Sequence, residues 1–211
     1  MDGNQRWSKK NNKKIEEGYL AGFNNLEKII NYCLNINIKY ITVFALSSEN
    51  LQRNSSYLIF KVIRKIYKKL LKDFNSKKIN INILGEKKNL PEDILKIFKK
   101  IKYFENDKLQ LNIAFNYGTQ YEVQNLIESF MKDNYKKINL KMIRQKMYLG
   151  DMPDPEILIR TGGFQRLSNF MLLNLSYSDL FFTNTLWPEF SINELEKIIN
   201  QYSNIKKNYG L

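Results

Sequence analysis

The sequence predicts one α/β domain over residues 1–211, with a mainly parallel central sheet flanked by helices. Three observations lead there. Strand-like and helix-like stretches alternate along the chain, with no linker and no internal repeat. The runs Ile38 to Leu46 and Leu109 to Phe115 are apolar and β-branched almost without interruption, as in strands covered on both faces. Polar clusters follow these runs at once, at the strand ends where open α/β sheets place ligands.

Taken in order, Ile15, Tyr19, Phe23, Leu26, Ile29, Ile30 and Cys33 recur at helical spacing, which makes Cys33 a small core residue. Ile38 to Leu46 is a strand that runs into the polar cluster Ser47-Ser48-Glu49-Asn50. Tyr57 to Phe74 is an amphipathic helix with Phe60, Ile63, Ile66, Tyr67, Leu70, Leu71 and Phe74 inward and Lys and Arg opposite. Ile79 to Leu84 reads as a strand ending at Gly85. Pro91, Glu92 and Asp93 then start a helix, since proline suits the first turn and acids its positive end. Its apolar face is expected to continue through Ile94, Leu95, Phe98, Ile101 and Phe104. Leu109 to Phe115 is stopped by Asn116-Tyr117-Gly118, and a helix through Tyr121, Val123, Leu126, Ile127 and Phe130 follows. A shorter helix covers Leu140 to Tyr148, Pro153 and Pro155 mark a loop, and Glu156 to Ile159 end a short buried strand. The last helix opens with the capping box Ser191-Ile192-Asn193-Glu194.

Composition narrows the chemistry. The formal charge of +13 favours anionic partners, although most of it is lysine on helix faces, which is ordinarily a solvated surface. There is no histidine, which excludes Ser-His-Asp and Cys-His catalysis and His-ligated zinc. The single cysteine excludes an intrachain disulfide. A metal would be held by carboxylates and phosphate oxygens, which suits Mg²⁺. No apolar run reaches transmembrane length and the start lacks a signal-peptide core, so a cytoplasmic location is expected.

The densest chemistry lies in Ile159 to Phe170, I-R-T-G-G-F-Q-R-L-S-N-F. Arg160 and Arg166 offer forked cations, Thr161 and Ser168 hydroxyls, and Gly162-Gly163 a turn with exposed backbone N–H groups. That set suits a phosphate or diphosphate. A glycine turn with two solvated arginines is the plainer alternative.

The ordered motifs D-G-N-x-R-W at Asp2–Trp7, S-S-E-N at Ser47–Asn50, N-Y-G at Asn116–Gly118, the Ile159–Phe170 segment, and L-W-P-E-F at Leu186–Phe190 resemble those of the cis-prenyltransferase family. Within it the chain is most similar to bacterial undecaprenyl diphosphate synthases, over essentially its whole length. The resemblance implies that fold, with a hydrophobic tunnel lined by the helices at 57–74 and 91–104. It implies condensation of isopentenyl diphosphate with an allylic diphosphate, farnesyl diphosphate, to a cis-polyprenyl diphosphate: the undecaprenyl carrier of cell-wall synthesis. By similarity Asp2 is the catalytic, Mg²⁺-binding carboxylate. Gly3, Asn4 and Arg6 cradle the allylic diphosphate and Trp7 walls the prenyl chain. Asn50 is catalytic and Arg53 lies near the isopentenyl unit, whose diphosphate Arg160, Arg166 and Ser168 clamp. Asp179 stands where the family usually has glutamate, a second metal ligand offered across a homodimer interface. A peripheral position at the inner face of the membrane, where product is delivered, and no nucleic-acid partner are also implied.

The chain departs from the pattern at Ile15 (usually arginine), Tyr19 (histidine), Leu51 (tryptophan), Thr119-Gln120 (Gly-Arg) and Phe164 (glutamate). Lys13 or Lys14 could compensate for the arginine. Met1 directly precedes Asp2, where the family has an apolar strand, so the expectation is a true start upstream and a strand missing before Asp2. The lost positions leave a second reading, a catalytically weak or inactive homologue serving as partner subunit. A basic nucleic-acid-binding domain is a distant third, without a recognised motif.

Overall fold

Among the described residues every strand pair is parallel, in a three-stranded sheet of order β1-β3-β2 and a two-stranded sheet β4-β5. The computed structural model describes residues 1–51 and 56–205. They fall into two compact units, one of residues 1–32, 155–166 and 174–205, the other of residues 33–51, 56–154 and 167–173.

In the second unit β1 (Tyr40–Ser47) and β2 (Ile79–Leu84) flank β3 (Leu109–Tyr117). Leu109, Leu111, Ala114, Phe115 and Tyr117 on β3 are buried, as expected of a central strand covered on both faces. The polar cluster after β1 forms the helical turn α3 (Ser48–Leu51). Helix α4 (Ser56–Ser76) and helix α5 (Glu92–Phe98) meet at a core cluster of Leu46, Phe60, Leu90, Ile94, Ile97 and Phe115. Thus part of the helix faces expected to line a tunnel is core. Ile59, Ile63, Tyr67, Leu95 and Phe98 are only partly buried around it.

The helix expected to reach Phe104 ends at Phe98. The side chain of Asn80 on β2 donates to the Phe104 carbonyl at 2.9 Å and accepts from its N–H at 2.8 Å. That amide pair gives the backbone a partner outside the helix, so an apolar period alone does not extend α5. Helix α6 (Thr119–Lys132) follows the N-Y-G stop. Helix α7 (Leu140–Lys146) stops short of Tyr148, whose N–H donates to the buried Glu122 carboxylate at 2.8 Å. Glu122 also accepts from the Tyr117 hydroxyl at 2.6 Å, and burial beside that carboxylate raises the Tyr117 pKa.

The first unit carries α1 (Asn4–Lys10) and the N-terminal part of α2 (Ile15–Asn35). The two helices approach closely at Gly22. A Cβ there would lie 2.1 Å from Asn4 Oδ1 and 2.9 Å from the Trp187 ring. Strand β4 (Ile157–Arg160) pairs with β5 (Asp179–Phe182), a strand that no periodicity in the sequence foretells. A 3₁₀ turn, Trp187–Glu189, precedes helix α8 (Ile192–Ser203). The L-W-P-E-F motif is a fastener: the Trp187 indole N–H donates to the Gly22 carbonyl at 2.7 Å. Asn25 Nδ2 donates to the Trp187 and Phe190 carbonyls at 2.7 and 2.9 Å.

The predicted capping box of α8 is present, with both reciprocal bonds between Ser191 and Glu194. Glu194 also accepts from the hydroxyls of Thr185 and Thr183 at 2.6 and 3.3 Å. Burial alone would raise its carboxyl, but the bonds from Thr185 and Ser191 outweigh it and lower the pKa from its ordinary 4.5. A depressed folded-state value contributes stability above the unfolded pKa and loses it as pH falls through the folded one. Replacing Glu194 with glutamine is therefore expected to cost about 1 kcal/mol at neutral pH, on the scale of lost caps. The difference from wild type should shrink below about pH 4.5 in urea melts; a gap independent of pH would refute this assignment.

Candidate active site

The site in the first unit is built on the C-terminal end of β4. The chain leaves Arg160 into Thr161, which is buried, and then turns through Gly162 and Gly163 at φ 89 and 82. These left-handed values favour glycine. A Cβ on Gly162 would lie 2.5 Å from Arg6 Nη2, so the turn also makes room for that guanidinium. The Gly162 and Gly163 N–H groups donate to the carbonyls of Thr185 and Thr183, both at 2.8 Å. This corrects the expectation that they are exposed for a phosphate: here they hold the turn, and the cations are left to meet an anion.

Asp2 is fixed by three segments. Its N–H donates to Thr161 Oγ1 at 3.1 Å, and the Thr161 hydroxyl donates to its carbonyl at 3.0 Å. The Trp187 N–H donates to that same carbonyl at 2.9 Å. Its carboxylate lies between two guanidiniums, with Oδ1 accepting from Arg6 Nη2 and Oδ2 from Arg160 Nη2, both at 3.1 Å. Arg6 Nη1 donates in addition to the Gly162 carbonyl at 2.7 Å. Arg160 Nη1 donates to the carbonyl of Arg166. The Arg160 side chain is 16% exposed and that of Asp2 35%, so this pair is shielded more than an ordinary surface ion pair.

Phe164 lies among the same cations. Its ring centroid is 4.4 Å from the guanidinium carbon of Arg166, 4.9 Å from that of Arg6 and 5.8 Å from that of Arg160. Three guanidiniums thus converge on one ring, and two of them pair with one carboxylate, leaving positive charge in excess. Such an array matches a diphosphate in charge and hydrogen-bonding geometry.

The other predicted residues distribute as follows. Gly3 caps α1 at φ 113 and is buried. Asn4 turns its Oδ1 toward α2, where it is buried without a hydrogen-bond partner, so this oxygen faces the helix packing. Trp7 is half-buried on α1. Asp179 begins β5 opposite Ile157, whereas Asp2 is bound to Thr161 beyond the other end of β4. Three residues of strand separate these ends, roughly 10 Å, so one chain does not join Asp2 and Asp179 in a single site. Asn50 and Ser168 belong to the second unit, and both are exposed. The Asn50 N–H donates to Ser47 Oγ at 3.2 Å. Arg53 lies outside the described residues.

Asn169 links motif segments within the second unit, a role that the motif chemistry did not single out. At φ 61 its carbonyl accepts from the Thr119 N–H at 2.9 Å and its Oδ1 from the Gln120 N–H at 3.1 Å. Its Nδ2 donates to Glu49 at 2.9 Å, which ties three of the motifs together. The signal was its membership of the L-S-N-F string, since asparagine tolerates the left-handed region. Of the departures, Tyr19 accepts a bond from Gln5 at 2.8 Å, and Lys13 approaches Glu17 at 4.0 Å.

Among the described residues no cluster of three or more His, Cys, Asp or Glu could cage a metal. The donor set instead suits a hard cation shared between one carboxylate, Asp2, and the oxygens of a bound diphosphate. No helix among the described residues is long and apolar enough to cross a membrane.

Comparison with known proteins identifies a family. A family model for undecaprenyl diphosphate synthase matches residues 1–210. An isoprenyl transferase of Fusobacterium nucleatum subsp. nucleatum is 36% identical over 214 residues, covering 100% of this chain and 93% of its own. One of Thermotoga maritima is 36% identical over 218 residues, covering 100% and 94%. The crystal structure of lavandulyl diphosphate synthase from Lavandula x intermedia, in complex with dimethylallyl diphosphate, superposes with a TM-score of 0.87. At 23% identity, covering 100% of this chain and 95% of that one, it speaks for the fold.

Proposed function

Because the chain belongs to the undecaprenyl diphosphate synthase family and is a prenyltransferase, we propose that it condenses isopentenyl diphosphate with farnesyl diphosphate to form a cis-polyprenyl diphosphate, the undecaprenyl carrier of cell-wall synthesis. The observation that carries this reading is the Asp2 carboxylate held between Arg6 and Arg160 beside Arg166. The arginines are held by their own hydrogen bonds to Asp2 and to the carbonyls of Gly162 and Arg166, and groups held in this way need little reorganisation as charge develops on a departing diphosphate.

In this reading Arg6 and the backbone at Gly3 and Asn4 receive the allylic diphosphate, and Trp7 walls the prenyl chain. Arg160, Arg166 and Ser168 hold isopentenyl diphosphate, with Asn50 and Arg53 near its reacting end. Bringing the two anions together supplies proximity. Asp2 would hold Mg²⁺ together with diphosphate oxygens, and the ion supplies Lewis-acid stabilisation of the leaving group when bound. Asp179 would serve a second chain in a homodimer, which its distance from Asp2 within one chain supports. The partly buried rim of Ile59, Ile63, Tyr67 and Leu95 is the proposed tunnel wall, and product would be handed to the inner face of the membrane.

The test is incorporation of labelled isopentenyl diphosphate into butanol-extractable product, with farnesyl diphosphate and Mg²⁺ and an EDTA control. Incorporation that EDTA removes, with product of undecaprenyl length, is the expected result. A folded protein that incorporates nothing would sink the catalytic proposal.

A further inference from the structure

Phe164 is 41% exposed, yet it stands at the focus of three guanidiniums. Like charges do not gather without a counter-charge or another attraction. Asp2 supplies the counter-charge for Arg6 and Arg160. It makes no ion pair with Arg166, for which no carboxylate partner occurs among the described residues. The bond from Arg160 holds the Arg166 backbone, and the ring contact at 4.4 Å is the attraction that its guanidinium makes within the group. An aromatic face attracts cations through its quadrupole and adds no negative charge. A carboxylate here would hold the same arginines but cancel one positive charge.

We propose that Phe164 is a positioning residue: its ring draws Arg6, Arg160 and Arg166 into one array and leaves their excess positive charge available to a diphosphate. The ligand class rests on the function proposed above; the role of the ring rests on the geometry alone. Phe164 acts through the arginines and has no part in the bond-making step.

The test is calorimetric titration of the full chain with inorganic diphosphate in EDTA, for wild type, F164L, F164Y and F164E, each checked for folding by circular dichroism. Leucine keeps the bulk and removes the π face, so F164L should bind roughly three- to tenfold more weakly. Tyrosine keeps the face, and F164Y should stay within about twofold of wild type. F164E should bind more weakly than F164L without metal, and with a shallower dependence on salt, because one unit of attraction is cancelled. F164L binding as tightly as wild type, or F164Y as weakly as F164L, overturns the inference. A wild-type chain that elongates prenyl diphosphates while F164L binds normally refutes the inference alone. Phe164-dependent binding of diphosphate without any elongation refutes the proposed function alone. No binding by wild type refutes the inference, and the incorporation assay then judges the proposed function by itself.

Discussion

Replacing Asp2 with alanine is expected to reduce turnover at least about 10²-fold, the scale on which loss of one preorganised electrostatic group is felt. The carboxylate is the acid that the arginine array encloses, and its backbone is pinned from Thr161 and Trp187, so it has little freedom to be replaced by a neighbour. The useful feature of the variant is that two readouts should move in opposite directions. Without its carboxylate the array repels an added diphosphate less, so metal-free binding of inorganic diphosphate should hold or tighten. Turnover and its response to Mg²⁺ should collapse together. Asp2→Asn, which keeps the shape and loses the charge, should behave like the alanine variant. Turnover within threefold of wild type in either variant would remove Asp2 from the proposed chemistry.

Arg160 is the second position where a large loss is expected. Its two terminal nitrogens serve different partners, the Asp2 carboxylate and the carbonyl of Arg166. Deleting a charge-assisted donor in a shielded site costs about 1.5–3 kcal/mol. On kcat/KM that is roughly 10- to 150-fold. Arg160→Lys should recover little of it, because a compact ammonium cannot span both acceptors as the planar fork does. Steady-state kinetics with isopentenyl diphosphate varied would decide, and a lysine variant close to wild type would show that charge alone matters there.

Much of this site is legible in the order of its amino acids. Arg160, Arg166 and the glycine pair lie within a few residues of one another, so their residue types by themselves suggest an anion. The capping box of α8 is legible for the same reason, since Ser191 and Glu194 satisfy each other within one turn. The strands β1 and β3 follow from runs of β-branched residues covered on both faces, and both lie where expected, apart from their ends.

What the sequence leaves open is the choice of partners at long range. Asp2 and Arg160 are 158 positions apart, and nothing local marks them as a pair. The turn N–H groups look available in sequence, but the carbonyls of Thr183 and Thr185 take them. The apolar period of α5 runs six residues past its end at Phe98, but at Phe104 the backbone takes its hydrogen bonds from the Asn80 amide on another element. Phe164 reads as a missing glutamate in the motif, whereas its ring sits among three cations in the fold. By itself the sequence determined most of the elements, though not β5, together with the family and the charge of the site, since these depend on residue type and short spacing. Tertiary structure alone decided which donor meets which acceptor, because a hydrogen bond or cation–π contact depends on ångström-scale approach between segments that chain order leaves far apart.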